Sequence, residues 1–501
     1  MGIVVRQSLK ASFVSYIGVG LGLINNLFIS TKILTPEQLA INRLLLENSL
    51  VFACFAHLGT PFILDKFFIH FKNQEKKHDG FLGFLLFISL IGVGLFSLIY
   101  ISFREPIADY FRLKSPQIID YHFFSLPLTA FWVYMIVFEA YSRNNSRIAI
   151  PAAIREIFLK SFNIGIVLIY GLGWISFDYL IYGMVFMYFL AVVILILYIK
   201  NLKKLFWGIN WSIFKSDYFK PMMIYGFFII LGGLGENIFK FVDRVMLAGQ
   251  EGLAQSAIFI LATFIVTTIE IPKKALSQIS IPILSEAIQT NNAGKLNEIY
   301  HKVALHQLMG GAFVFLGIWC CIDELFMLIP KGAIYSEGKW VVFFLGLTTL
   351  FNLASGLRAE VITYSHRYYI SSLLVFIFVL VNIFLNYWLI DLYKIDGAAY
   401  ATTISSILYI STQVFYVYWK FGILPYQIKQ LYVLAVAIAI WAAMLLLPQA
   451  QNMWQALFIL TLKAGLITIL YFTAVLKLKI STELNNLYKM GLDFIKMKLG
   501  K

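Results

Sequence analysis

The sequence predicts an all-α polytopic membrane protein with about 14 transmembrane helices, and three observations carry that expectation. Of its 501 residues, 60% are hydrophobic and only 13% are charged, against about 25% charged in soluble domains. The apolar residues fall in runs long enough to cross a bilayer, about 20 residues each. Lys and Arg alternate between crowded and sparse connections along the chain.

The runs cover residues 12–34, 45–69, 81–103, 119–141, 150–172, 175–199, 221–248, 254–282, 303–329, 339–364, 369–391, 396–419, 430–448 and 454–476. Lipid offers the backbone no hydrogen-bond partner, so such runs must be helices. They lack the alternating pattern of membrane β-strands. Arg6 and Lys10 precede the first run much as in a signal sequence. Without a small-residue cleavage site, and with the run reaching Leu34, it reads as a retained first span.

With the N-terminus placed inside, the connections assigned to the cytoplasm hold 29 of the 40 Lys and Arg, and those assigned outside hold 8. That bias supports the span count and puts both termini in the cytoplasm. The formal net charge of +14 is scattered between apolar runs. No basic domain exists to carry a nucleic-acid footprint. Cys54, Cys320 and Cys321 sit in apolar runs without metal-site spacing and read as packing residues.

Several chemistries are excluded by missing motifs. Gly294-Lys295 and Gly338-Lys339 are followed by Leu296 and Trp340, so no Walker pattern exists. The seven His show no HExxH spacing, and no Gly-x-Ser-x-Gly elbow appears. The sequence therefore predicts no enzyme site, no metal and no cofactor.

Weak internal matches pair each span with the one six later. Tyr141-Ser142 precedes Asn163 as Tyr364-Ser365 precedes Asn386. Gly18, Gly20 and Gly22 precede Asn26 as Gly232, Gly233 and Gly235 precede Asn237. Six is even, so this is a parallel repeat about an axis along the membrane normal. The expected organisation is a six-helix bundle over 1–200, a second over 201–420, and spans 13 and 14 with a basic tail over 421–501.

Charges inside a bilayer are costly and normally face protein or water. In the seventh run Glu236, Lys240, Asp243 and Arg244 fall within about 100° of helical arc, bordered by Asn237. Two readings stay open: the wall of an aqueous cavity that binds substrate, or charges that only neutralise each other or a neighbouring helix. Glu270, Lys273 and Lys274 cluster around Pro272 as candidate gating residues, or as an ordinary interfacial anchor. Glu139 and Arg43–Glu47 carry the same ambiguity. Lys463 stands alone in the fourteenth run, either to meet a phosphate head or to pair with a neighbouring helix.

Some stretches resemble the polysaccharide flippases of the multidrug/oligosaccharidyl-lipid/polysaccharide (MOP) exporter superfamily. They are Gly20–Leu44 with Ile33-Leu34-Thr35-Pro36-Glu37, Phe241–Leu247 with its Asp-Arg pair, and Ile269–Glu286. Ala40 departs from the pattern, where a glycine is expected after the Pro-Glu turn. The resemblance implies two six-helix bundles around a cavity open alternately to each side. It also implies a polyprenyl-diphosphate-linked oligosaccharide as cargo, moved to the outer leaflet of a bacterial plasma membrane during O-antigen or other surface polysaccharide synthesis, near polysaccharide polymerase machinery. Asn26 joins the seventh-run residues and Lys463 as candidate substrate contacts. A cation-coupled drug antiporter and a membrane glycosyltransferase or polymerase are the competing readings. The first wants an acidic cavity, and the second wants a larger outer loop than the roughly 15 residues found between spans 3 and 4.

Overall fold

The computed structural model describes residues 3–73, 77–290, 292–365, 367 and 369–499. Among them no strand occurs. The α-helices of seven or more residues are α1 (Ile3–Leu23), α2 (Pro36–Ala56), α3 (Thr60–Phe71), α4 (Phe81–Ser102), α5 (Arg104–Arg112), α6 (Ser125–Asn144), α7 (Leu159–Gly171), α8 (Phe177–Asn201), α9 (Phe219–Gln250) and α10 (Leu253–Thr267). They continue as α11 (Ile271–Gln289), α12 (Ala293–Cys320), α13 (Ile322–Leu328), α14 (Lys339–Ala354), α15 (Arg358–Tyr364), α16 (Tyr369–Phe421), α17 (Ile428–Met444), α18 (Met453–Lys477) and α19 (Thr482–Leu499). Helix of one kind or another lies over every apolar run.

Among the described residues nine helices are long and apolar enough to cross a membrane, or ten if the bent pair Gly332–Ala354 and Arg358–Tyr364 is one span. That count takes α16 as a single helix of 53 residues, although Lys394 breaks it with φ 54°. The two runs 369–391 and 396–419 meet at this break.

Local chemistry sets several boundaries that hydropathy misplaces. The second helix starts at Pro36 rather than near residue 45. Thr35 and Gln38 form a reciprocal capping box, with the Gln38 N–H donating to Thr35 Oγ1 at 3.2 Å and the Thr35 N–H to Gln38 Oε1 at 3.1 Å. Arg43, counted with the outer segments by the sequence, therefore lies inside the same helix as Glu47. The run 45–69 is broken at Leu58 and Gly59, both at positive φ. A Cβ on Gly59 would stand 2.6 Å from Gly226 Cα, so only glycine allows α3 to start against α9. Two stretches widen to π-helix, Ile24–Ile29 after α1 and Ile154–Phe158 before α7. Such bulges recur at functional sites.

The chain divides into two compact units. The first comprises residues up to Ile260 together with Val375–Ala398, and the second comprises Leu261–Leu374 and Ala399 onward. In the first, α2, α6 and α8 pack side by side around buried Leu44, Leu45, Phe138, Met184 and Leu195, and α9 lies against α2 and α3. In the second, α12 is central and touches α11, α14, α17 and α18. Tyr300, Leu357, Val361 and Val417 fill part of its core.

Candidate functional site

The polar stripe of α9 belongs to the first unit, and the structure separates its members by their surroundings. Arg244 is only 8% exposed. Its guanidinium pairs with Glu47 of α2 and lies 5.2 Å from the Phe241 ring. One turn of α2 earlier, Arg43 feels Glu47, Arg244 and Tyr188 electrostatically. Glu47 thus pairs with Arg244 and lies within electrostatic range of Arg43.

Asp243 is 3% exposed and accepts a hydrogen bond from Asn386 Nδ2 at 2.6 Å. The same amide lies 3.2 Å from Asn382 Oδ1. Asn386 Oδ1 is buried with no partner among the described residues. One carboxylate and two amides thus gather in a buried cluster. This is the oxygen-rich ligand type that hard cations prefer, and the carboxylate can also exchange a proton.

Lys240 differs from both. It is exposed, although it sits in the middle of the 221–248 apolar run. Among the described residues it makes no ion pair, and its field reaches the Cys54 thiol of α2. Asn237 donates to Cys54 Sγ at 3.4 Å. The side chains of Glu236 and Lys274 lie outside the described residues. Of the two ways left open by the sequence, neutralisation by one another or by a neighbouring helix, Arg244 shows the second. Asp243 and Arg244 are each held by a different neighbouring helix, because adjacent helical residues point about 100° apart.

In the first bundle a buried polar tie forms next to Asn26, the candidate substrate contact. Asn25, and not Asn26, donates to Asn163 Oδ1 at 2.9 Å. Asn26 Oδ1 is buried and unpartnered. The π-turn at Ile24–Ile29 rotates the pair away from regular helical phase, which hydropathy cannot foresee. Asn163 and Asn386, equated by the internal repeat, therefore both make buried bonds between spans.

In the second unit, Glu270 accepts from Asn352 Nδ2 at 3.2 Å, and Asn352 Oδ1 accepts from Arg358 at 2.8 Å. Arg358 is buried, although the sequence suggests a loop cation. Lys273 is half-buried beside Glu270. Lys463 is buried against α12 and α13, where it donates to Glu324 Oε1 at 2.6 Å and to the Cys320 carbonyl at 3.0 Å. Of its two sequence readings, the geometry has the pairing one.

Sequence reasoning missed Glu324, Asn352 and Arg358 in the second unit. It also missed the knot of Arg155, Glu156 and Lys160 beside Glu139 in the first. Glu139 meets Arg155 at 3.2 Å, and Lys160 meets Glu156 at 2.7 Å. The available signal was the carboxylate at 324 inside an apolar run, matched by a lone cation at 463 in another. Among the described residues no group of three or more His, Cys, Asp or Glu could hold a metal ion.

No protein-family model and no curated protein matches the sequence. Solved structures do. The lipid II flippase MurJ in an inward closed conformation aligns over 94% of this chain and 100% of its own, at TM-score 0.74 and 14% identity. A multidrug resistance MATE family transporter of the MOP superfamily, facing inward, aligns over 83% of this chain and 98% of its own, at TM-score 0.61 and 16% identity. A MOP superfamily transporter from Pyrococcus furiosus with a binding pocket of reverse polarity aligns over 83% and 95%, at TM-score 0.54 and 15% identity. These neighbours are transporters, and at such identities the likeness is one of fold: the chain has the fold of the MOP transporters.

Proposed function

We propose that the protein is a flippase that moves a polyprenyl-diphosphate-linked oligosaccharide from the inner to the outer leaflet of a bacterial plasma membrane by alternating access. In this reading the cargo then passes to polysaccharide polymerase machinery. Fourteen spans with cytoplasmic termini, in two repeated bundles with two added helices, belong to the same proposal. The observation that carries it is Lys240. A lysine in mid-run costs about 2.5–3.5 kcal/mol if it meets lipid. It is exposed and makes no ion pair among the described residues, so it belongs in water, where its charge is free to attract an anionic head. Arg244 and Lys463 are already neutralised, which leaves Lys240 as the first contact for a diphosphate.

A membrane potential supplies the drive. A diphosphate carries about two negative charges, and outward movement from a negative interior gains roughly 4–5 kcal/mol per 100 mV. The alternative, a cation-coupled multidrug antiporter, draws on the buried Asp243–Asn386–Asn382 cluster as its coupling site.

The two readings separate in proteoliposomes that carry a fluorescent polyprenyl-diphosphate sugar. Flipping is expected to accelerate when the imposed potential draws anions outward. Lys240→Ala is expected to slow it at least tenfold, with Lys240→Arg milder and the amount of folded protein unchanged. Indifference to both the potential and Lys240→Ala, alongside proton- or sodium-driven uptake of a cationic dye, would transfer the assignment to the antiporter.

A further inference from the structure

The side of α9 facing away from Lys240 lines a separate cavity of about 480 Å³ within the first unit. That volume lies in the range of small-molecule sites. Phe52 of α2, Pro106 and Tyr110 of α5, and Phe241 and Val245 of α9 form much of its wall. No Asp, Glu, Lys or Arg lines it. The helix α5 closes one side with its apolar face, while Arg104, Glu105, Asp109 and Arg112 pair among themselves on the exposed face. It and the turn after it are fastened to the end of α9 by two bonds: Tyr110 donates to the Met246 carbonyl at 3.3 Å, and Ser115 to the Ala248 carbonyl at 2.5 Å.

The polar groups in this wall have a definite pattern. The hydroxyls of Tyr100 and Tyr110 are engaged with backbone carbonyls. Two side chains are not engaged in this way. Asn48 lines the cavity and makes no hydrogen bond among the described residues, so its amide presents both donor and acceptor. His122 also lines it, is only 7% exposed, and among the described residues has no partner at Nε2. Its Nδ1 stands 2.6 Å from the Ile119 carbonyl. A carbonyl only accepts, so Nδ1 carries a hydrogen, and in that tautomer Nε2 is a lone-pair acceptor.

We propose that this cavity binds a long-chain alcohol, with the hydrocarbon against Phe52, Phe241 and Val245 and the hydroxyl shared by Asn48 and His122. A hydroxyl both donates and accepts, as this pair of side chains requires. An alkyl carboxylate or phosphate would find no cation here, and an alkylammonium no carboxylate. A buried acceptor without a donor is costly, so the hydroxyl gives selectivity over a plain alkane. The assignment stands independently of the flippase reading, because it uses none of the stripe charges.

The test uses the full chain in phosphatidylcholine nanodiscs with a diazirine-bearing tetradecanol as photoprobe, and labelled residues are mapped by mass spectrometry. Labelling is expected on the cavity segments of α2, α5 and α9, competed by 1-tetradecanol but not by tetradecane. His122→Phe and Asn48→Leu are each expected to weaken the alcohol's competition roughly fivefold, the worth of one neutral hydrogen bond. Val242→Trp, which fills the cavity, should abolish labelling there. If that variant fails to fold, the two polar substitutions and the competitor series still decide. Labelling no stronger than on the exposed Leu98 and Ile99, or equal competition by tetradecane, would reduce the cavity to a lipid-filled crevice and overturn the proposal. Preferential competition by tetradecanoate or tetradecylammonium would overturn the alcohol assignment.

Discussion

Replacing Lys463 by Met should expose how deeply its ion pair with Glu324 is buried. The two side chains retain 8% and 2% of their exposure, and their charged atoms are 2.6 Å apart. Glu324 Oε2 already lacks a partner among the described residues. Without Lys463, the carboxylate loses its only ion-pair cation among the described residues, and the Cys320 carbonyl loses a donor. Breaking one side of such a pair costs about 3–5 kcal/mol, whereas replacing both sides by apolar residues is often neutral or better. The expected double-mutant cycle is therefore strongly non-additive. Lys463→Met and Glu324→Leu each destabilise by several kcal/mol, and the double variant returns close to the parent. Reversible unfolding in mixed detergent micelles gives the measurement. Lys302→Met serves as control, because its pair with Glu298 is 53% and 61% exposed and should contribute about 1 kcal/mol or less. Single losses no larger than the control would refute the desolvation argument. The same variants test a cargo role for Lys463. A double variant that is fully stable yet slow in flipping would restore the lysine as a phosphate contact despite its neutralisation.

Two further predictions rest on different features. Single Cys at Asn292 and Ser336, in a Cys-free background, should label from the inside and the outside respectively, and labelling of both from one side would defeat the fourteen-span topology. Gly92→Ala should destabilise the first unit by about 1–3 kcal/mol, the usual cost of overpacking. The added Cβ would stand 2.0 Å from the Ala56 carbonyl oxygen, where α4 crosses α2. Unchanged stability in the same unfolding assay would mean that these helices can separate freely.

Hydropathy and charge bias determined the membrane class, the all-helical character and the position of every apolar run, because a bilayer imposes the same solvent on every span. They located Lys240, Asp243, Arg244 and Lys463 as charges that demand an explanation. What each charge meets was decided by tertiary structure alone. Arg244 and Glu47 are 197 residues apart, and Lys463 and Glu324 are 139 apart. A partner across such distances leaves no periodic trace in one sequence. Local phase was equally hidden. The π-turn at Ile24–Ile29 places Asn25 against Asn163, and the capping box at Thr35 draws Arg43 into a helix. The cavity beside His122 is the furthest from sequence. Its walls come from separate helices whose apolar residues read individually as ordinary span-formers, and only their packing leaves a half-open cavity with an acceptor in its wall that has no partner among the described residues.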